Sequence, residues 1–182
     1  MSEYSQFFVS LPIAPIYEKR GRYAQWHISR EELGKILQNW ASVQWDWRSD
    51  SRPSTPGKYH ATAITRKVLS APISAYLADH APVGRTLYHG VGRDIIGASA
   101  LGAERYDPYH TDPEIRKAPN GVFDEIHSHY TLNVVSKSQG YEILSHIYGL
   151  LRVGGRAVIS VRRDLTSAGL TSAYAPVKDL ST

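Results

Sequence analysis

The sequence predicts an α/β protein built around a mostly parallel sheet. From Arg85 onward the short β-prone runs RTLYH, AERYD, VFDEIHS and RAVISV are separated by turns and by segments of helical spacing. Strands alternating with helices require crossover connections, and crossovers make parallel strands. A chain of 182 residues, 42% of them hydrophobic, suits one compact domain of that kind plus an appendage.

Residues 1–57 read as the appendage, helical and aromatic. They hold Trp26, Trp40, Trp45 and Trp47 and end in the turn-rich tract SDSRPSTPG. In ISREELGKILQNW, Ser29 and Glu32 form a capping box, and Leu33, Ile36 and Leu37 share one face, so a helix is expected over about 30–40. The segment TAITRKVLSAPISAYLADH predicts helix over about 61–80, with Ser70 capping a fresh start because Pro72 belongs in a first turn. Residues 58–182 form the main domain. Its strands are expected at about 85–89, 103–107, 122–128 and 156–162 in one sheet, with 85–89 central. Between the last two, SKSQGYEILSHIYGLLR has helical spacing at Ile143, Ile147, Leu150 and Leu151 and is closed by Gly154 and Gly155.

Composition removes several classes of function. Cysteine is absent, which excludes a disulfide framework, a thiolate metal site and a cysteine nucleophile. No run approaches the roughly 18 apolar residues of a membrane span, and the start lacks signal-peptide character, so a soluble, cytoplasmic protein without a membrane partner is expected. The net charge of +4 suits a polyanion and equally an ordinary solvated surface.

The stretch LYHGVGRDIIGASALGAERYDPYH carries the chemistry. Gly90 and Gly92 follow a strand and precede a helix, where the backbone can turn sharply and approach a ligand. Asp107 closes the next strand, where a carboxylate can accept hydrogen bonds from ribose hydroxyls. The three residues describe one side of a nucleoside pocket; they also describe a tight turn and a loop cap. FDEIHSHYTLNVV ends a third strand with His127 and His129, two bases that alternation sends to one side. They can serve a reaction as general bases or simply bond a neighbouring loop. His110, His127, His129 and Asp112 match no standard metal spacing, and no metal is expected.

With LLRVGGRAVISV as a helix end, turn and buried strand, residues 83–163 resemble the class I S-adenosylmethionine-dependent methyltransferases, a Rossmann-like fold. The order KYHATAITRKVLSAPISAYL, LYHGVGRD, YDPYHTDPE, FDEIHSHYTLNVV is similar to methyltransferases associated with DNA phosphorothioation. The resemblance implies a reduced sheet of four to five mostly parallel strands and S-adenosylmethionine as cofactor, held by His89, Gly90, Gly92, Asp107, Pro108 and His127. It implies His127 or His129 as catalytic base, and His60, Arg66 and Tyr130 at a nucleic-acid-linked or small-molecule acceptor.

The departures are equally specific. Tyr88 stands where the family carries an acid, and its ring is expected to obstruct the methionine pocket. Asp94 replaces a third glycine, and Asp107 to Phe123 is too short for the usual helix and third strand. The tail past Arg163 is too short for the closing helix and antiparallel hairpin. No Asp-Pro-Pro-Tyr or Asn-Pro-Pro-Tyr turn follows the counterpart of the family's fourth strand, where this chain has SHYTLN, which disfavours amino methylation of bases, while the basic and aromatic N-terminal segments can contact nucleic acid or pack internally. The competing reading is a catalytically reduced binding or scaffold protein that works with a partner subunit.

Overall fold

The computed structural model describes residues 8–19, 22–46 and 65–162. Its centre is a mixed six-stranded sheet with helices on both faces. In chain order the elements are β1 (Phe8–Ser10), β2 (Tyr17–Lys19), β3 (Tyr23–Ser29), α1 (Arg30–Gln38), β4 (Gln44–Asp46), α2 (Ala71–Asp79), β5 (Thr86–His89), α3 (Ile95–Leu101), β6 (Glu104–Tyr106), α4 (Pro113–Arg116), β7 (Phe123–His129), α5 (Lys137–Leu150) and β8 (Leu151–Arg162). The sheet order is β2-β3-β8-β7-β5-β6, while β1 and β4 pair as a separate two-stranded ribbon.

Strands β8, β7, β5 and β6 are parallel to one another, β3 runs antiparallel to β8, and β2 antiparallel to β3. All four expected strands therefore join one sheet. The strand at 85–89 is not central: β5 is one in from the β6 edge, because β2 and β3 extend the opposite side. The expectation of a helical N-terminal appendage is corrected for the same reason. Seven residues of β3 pair with β8 from Tyr23–Arg162 to Ser29–Arg156, which builds the first part of the chain into the sheet. Between β6 and β7 there is only a loop with the single turn α4, as the short spacing requires.

The local signals explain the helices. Ser29 and Glu32 form the reciprocal capping box of α1, and Ser136 and Gln139 form one for α5. Ser70 is the N-cap of α2 with proline in the first turn. Helix α2 thus starts at Ala71; of the rest of the expected helical stretch, residues 65–70 are irregular and 61–64 lie outside the described residues. At the other end, α5 stops at Leu150 without help from the glycine pair, which instead makes an irregularity inside β8: Phe123 pairs with Leu151, but Glu125 pairs with Arg156.

The two faces of the sheet differ in kind. On one, Ala24, Trp26, Ile28, Leu87, Ile126, Ala157 and Ile159 pack with Leu33 and Ile36 of α1 and Leu144 and Ile147 of α5. Trp40 and Trp45 pack against this core, and the indole N–H groups of Trp26 and Trp45 donate to Ile13 O at 2.9 Å and Val135 O at 3.2 Å. These three tryptophans are packing residues; Trp47 lies outside the described residues. On the other face, α2 and α3 cover a smaller apolar cluster, Ile73, Tyr76, Tyr88, Val91, Ala98, Leu101 and Val158, set beside buried polar groups.

Helix α5 gives a paired test of this packing. A Cβ on Gly140 would lie 2.3 Å from the Trp45 ring, whereas one on Gly149 would meet nothing within 4 Å. Helix propensity favours alanine by about 0.8–1 kcal/mol, but overpacking costs about 1–3 kcal/mol. Gly140→Ala should lower and Gly149→Ala raise the urea midpoint; equal shifts would contradict the packing of α5 on Trp45.

Candidate functional site

The parallel strands deliver their carboxyl ends to one cavity of about 350 Å³. From β5 the chain goes to β6 on one side and then to β7 on the other, so the strand order reverses beside β5. Such a switch point leaves a crevice that loops do not cover. The cavity is bordered there by His89 ending β5 and Gly90 after it, Asp107 and Pro108 after β6, His129 ending β7 and Tyr130 after it, and Arg162 ending β8.

The glycine turn is built as the sequence requires. Gly90 and Gly92 have φ of 75° and 52°, a region that side chains disfavour, and a Cβ on Gly90 would lie 2.4 Å from Thr131 Oγ1. Gly90 N–H donates to Tyr106 O at 2.8 Å, tying the turn to β6. Asp107 completes the tie. Its Oδ2 accepts Gly92 N–H and its Oδ1 accepts Tyr109 N–H, both at 2.9 Å. An ionised carboxylate has about four acceptor positions, so each oxygen retains capacity for a ligand hydroxyl.

Tyr88 and Asp94 are committed to each other. Tyr88 O–H donates to Asp94 Oδ2 at 2.9 Å, and Asp94 Oδ1 caps α3 through Gly97 N–H at 3.0 Å. Burial, with the neighbouring Asp94 charge, pushes the Tyr88 phenol well up, so it stays protonated. The ring forms part of the cavity wall, packed edge-on to His129 at 5.5 Å between centroids, and open volume remains beside it.

Eight of the expected site residues meet at the cavity: Arg66, His89, Gly90, Gly92, Asp107, Pro108, His129 and Tyr130. His60 lies outside the described residues. His127, expected as cofactor contact and base, does not line the cavity: its ring is wholly buried with both nitrogens engaged. His129 reaches the wall, but its nitrogens are engaged as well, at 3.0 Å to His127 Nδ1 and 2.8 Å to Ser160 Oγ.

These contacts belong to a chain of hydrogen bonds whose direction can be deduced. Gln25 Nε2 must donate to the carbonyl of Pro72 at 3.0 Å, which fixes the amide; the same nitrogen donates to Ser160 Oγ at 3.0 Å. Ser160 then gives its proton to His129 Nδ1, His129 Nε2–H donates to His127 Nδ1, and His127 Nε2–H donates to Glu125 Oε1 at 2.5 Å. Tyr76 O–H also donates to Glu125 Oε1, and Arg156 Nε donates to Oε2 at 2.9 Å. One assignment of neutral tautomers thus satisfies every member, and the chain ends on a carboxylate. Burial acts to raise the Glu125 carboxyl, but the donors from His127, Tyr76 and Arg156 outweigh it and hold it at about 2.

Two other polar features frame the cavity. His89 Nε2 lies 2.8 Å from His146 Nδ1, and burial followed by the His146 charge lowers its imidazole to about 3. Tyr130, after β7, has φ 65°, the only positive value at a non-glycine residue among those described. His110 and Asp112 serve their own loop: Asp112 N–H donates to His110 Nδ1 at 2.9 Å, and Asp112 caps α4. Among the described residues no group of three or more His, Asp or Glu is placed to hold a metal ion, and no helix is long and apolar enough to cross a membrane.

Sequence reasoning missed Glu125, Tyr76, Arg156, Ser160 and Gln25. A signal existed for Glu125 alone: a carboxylate inside the apolar run VFDEIHS demands a buried partner. Comparison with known proteins returns no significant match, whether to family models, to curated sequences or to solved structures. Function must therefore be argued from the geometry.

The buried imidazoles set a pH dependence. Burial lowers His27 to about 4 and His89 to about 3, and lowers His127 and His129 also. Below about pH 6.5 the unfolded chain takes up protons that the folded chain refuses, so stability present at neutral pH is lost as pH falls towards the folded values. The wholly buried imidazoles of His89, His127 and His129 all act in this direction, because burial disfavours the charged form of each. Below about 4.5 Glu125 adds to the loss. Urea unfolding between pH 7 and 5 should show this decline; a flat profile would mean that the imidazoles take up protons as readily in the folded chain as in the unfolded one.

Proposed function

We propose that the protein is an S-adenosylmethionine-binding methyltransferase with a reduced Rossmann-like sheet. The observation that carries this reading is the Asp107-tied glycine turn at the reversal of strand order, beside a cavity of about 350 Å³. That volume lies in the usual range for small-molecule sites, roughly 300–1,000 Å³. Asp107 would accept the ribose hydroxyls, and the positive-φ backbone at Gly90 and Gly92 would allow close approach of the methionine end. The hairpin β2–β3 supports the comparison, because it places antiparallel strands beside β8.

The cofactor supplies an activated methyl group when bound. The chain's own contribution is to orient acceptor and sulfonium in line, since positioning can supply most of the acceleration. His129 fits a positioning role better than that of a base, because its nitrogens are already used by Ser160 and His127. Tyr88 fits as a wall and not as a plug. An acid in its place would face Asp94, so Tyr88→Asp is expected to destabilise the protein more than to improve binding.

The occupied histidines favour one second reading, a binding protein that uses the same nucleoside pocket without turnover. Both readings require the cofactor to bind. Calorimetric titration with S-adenosylmethionine and its demethylated product should give binding to the wild type. Asp107→Ala should weaken it by about 10- to 1,000-fold, the value of one or two charge-assisted hydrogen bonds. Binding unchanged in Asp107→Ala, or undetectable in the wild type, would refute the cofactor assignment.

A further inference from the structure

The lining of the cavity has two sides of different character. Strand alternation turns Tyr88 towards α2 and α3, where Arg66 and Asp94 border the space, and turns His89 towards α5, where it meets His146. On the α5 side Tyr106, Val134, Val135 and Ile143 give apolar surface, with His89 and His146 set into it; Glu142, the acid on that side of the lining, is exposed. An apolar slot with a few placed polar groups suits a flat ring. It begins beside the residues assigned above to the nucleoside: His89 and Tyr106 are register partners at the ends of β5 and β6, and Gly90 and Asp107 follow them directly.

Within this slot His89 is left unfinished by the fold. The residue is 3% exposed, its Nε2 lies 2.8 Å from His146 Nδ1, and its Nδ1 has no hydrogen-bond partner among the described residues. Tyr106 and His146 hold the ring edge-on, each with centroids 5.0 Å away. Burial keeps both imidazoles neutral at pH 7, so each has one N–H donor and one acceptor nitrogen. If His89 Nε2–H donates to His146 Nδ1, both rings hold the Nε2–H form that neutral histidine side chains intrinsically prefer; the reverse assignment puts both in the less favoured Nδ1–H form. The free Nδ1 of His89 is therefore an acceptor. A buried acceptor without a donor is costly, and the cavity is the side from which a donor can come.

We propose that His89 is a specificity-determining residue, whose Nδ1 accepts a hydrogen bond from the amino group of a flat, uncharged base lying on the α5 side of the cavity. An amino group conjugated to a ring offers N–H in the plane of that ring and brings no charge, whereas an alkylammonium would carry its charge into a buried apolar slot. A base with a carbonyl at the same position would set oxygen against Nδ1, acceptor against acceptor. The slot thus selects an aminopurine over an oxopurine. The inference rests on the cofactor reading for one step, the ribose on Asp107, which brings the attached base beside His89; it goes further in naming the residue that reads the base.

Adenosine and inosine, which differ by an amino group against a carbonyl, are the probes. In calorimetric titration of the full chain adenosine should bind about 10- to 100-fold more tightly than inosine, the value of a matched against an unmatched buried group. His89→Phe keeps the ring and removes both nitrogens, and should bind the two nucleosides alike. Should His89→Phe not fold, nitrogen NMR of the wild type decides: adenosine, and not inosine, should move the His89 Nδ1 resonance towards its hydrogen-bonded position. The assignment is overturned if the wild type binds neither nucleoside or binds both alike, as it would were Nδ1 satisfied by water alone, or if the preference survives in His89→Phe. Titration with S-adenosylmethionine separates the two claims. If it binds while adenosine is not preferred, this inference alone fails; if it does not bind while adenosine is preferred through His89, the base site stands and the cofactor assignment falls.

Discussion

A carboxylate buried with no exposure at the middle of the sheet is the constraint on which the rest of this structure depends. Glu125 would cost several kcal/mol if left unpaired, so three elements must converge on it: α2 through Tyr76, β8 through Arg156, and β7 itself through His127. Replacing such a cluster with apolar residues can be neutral for stability. What the charges fix is register. Arg156 is opposite Glu125 only because β8 carries its irregularity between Leu151 and Arg156, and Ser160 is then opposite His129.

From that register the cavity follows. The hydrogen-bond chain leads from Glu125 through His127 and His129 to Ser160 and Gln25, crossing from the parallel strands to β3. It fixes the ends of β7 and β8 relative to one another, and the Tyr130 N–H bond to Ser160 O sends the chain out of β7 with positive φ. On the neighbouring strands the glycine turn and Asp107 are tied by backbone contacts of their own. The two ends of the cavity are thus organised by different means, one by a buried polar network and one by a turn that only glycine can make.

Much of this was legible in the sequence where the determinants are local. The capping box at Ser29, the proline start of α2, the glycine turn and the acid after β6 all declare themselves within a few residues. The place of β3 was not legible. YAQWHIS alternates polar and apolar residues, but its polar side faces Ser160 of β8 and Pro72 in the first turn of α2, partners 135 and 47 residues away from Gln25. The surroundings of His127 were not legible for a similar reason. Alternation places His127 and His129 on one side of a strand but cannot say that Glu125, two residues earlier on that side, engages the inner imidazole. Arg162 ends β8 and reaches Tyr130, a pairing that exists only once β7 and β8 are neighbours.

The central claim is that the acid-tied glycine turn forms the nucleoside end of a working pocket. A crystal structure of the protein with the demethylated product of S-adenosylmethionine tests it most directly. The account predicts ribose hydroxyls within about 3 Å of the Asp107 carboxylate, with the Gly92 N–H contact retained and the amino-acid end beside Gly90. A ligand lying elsewhere, with the space beside Asp107 left open to solvent, would contradict it.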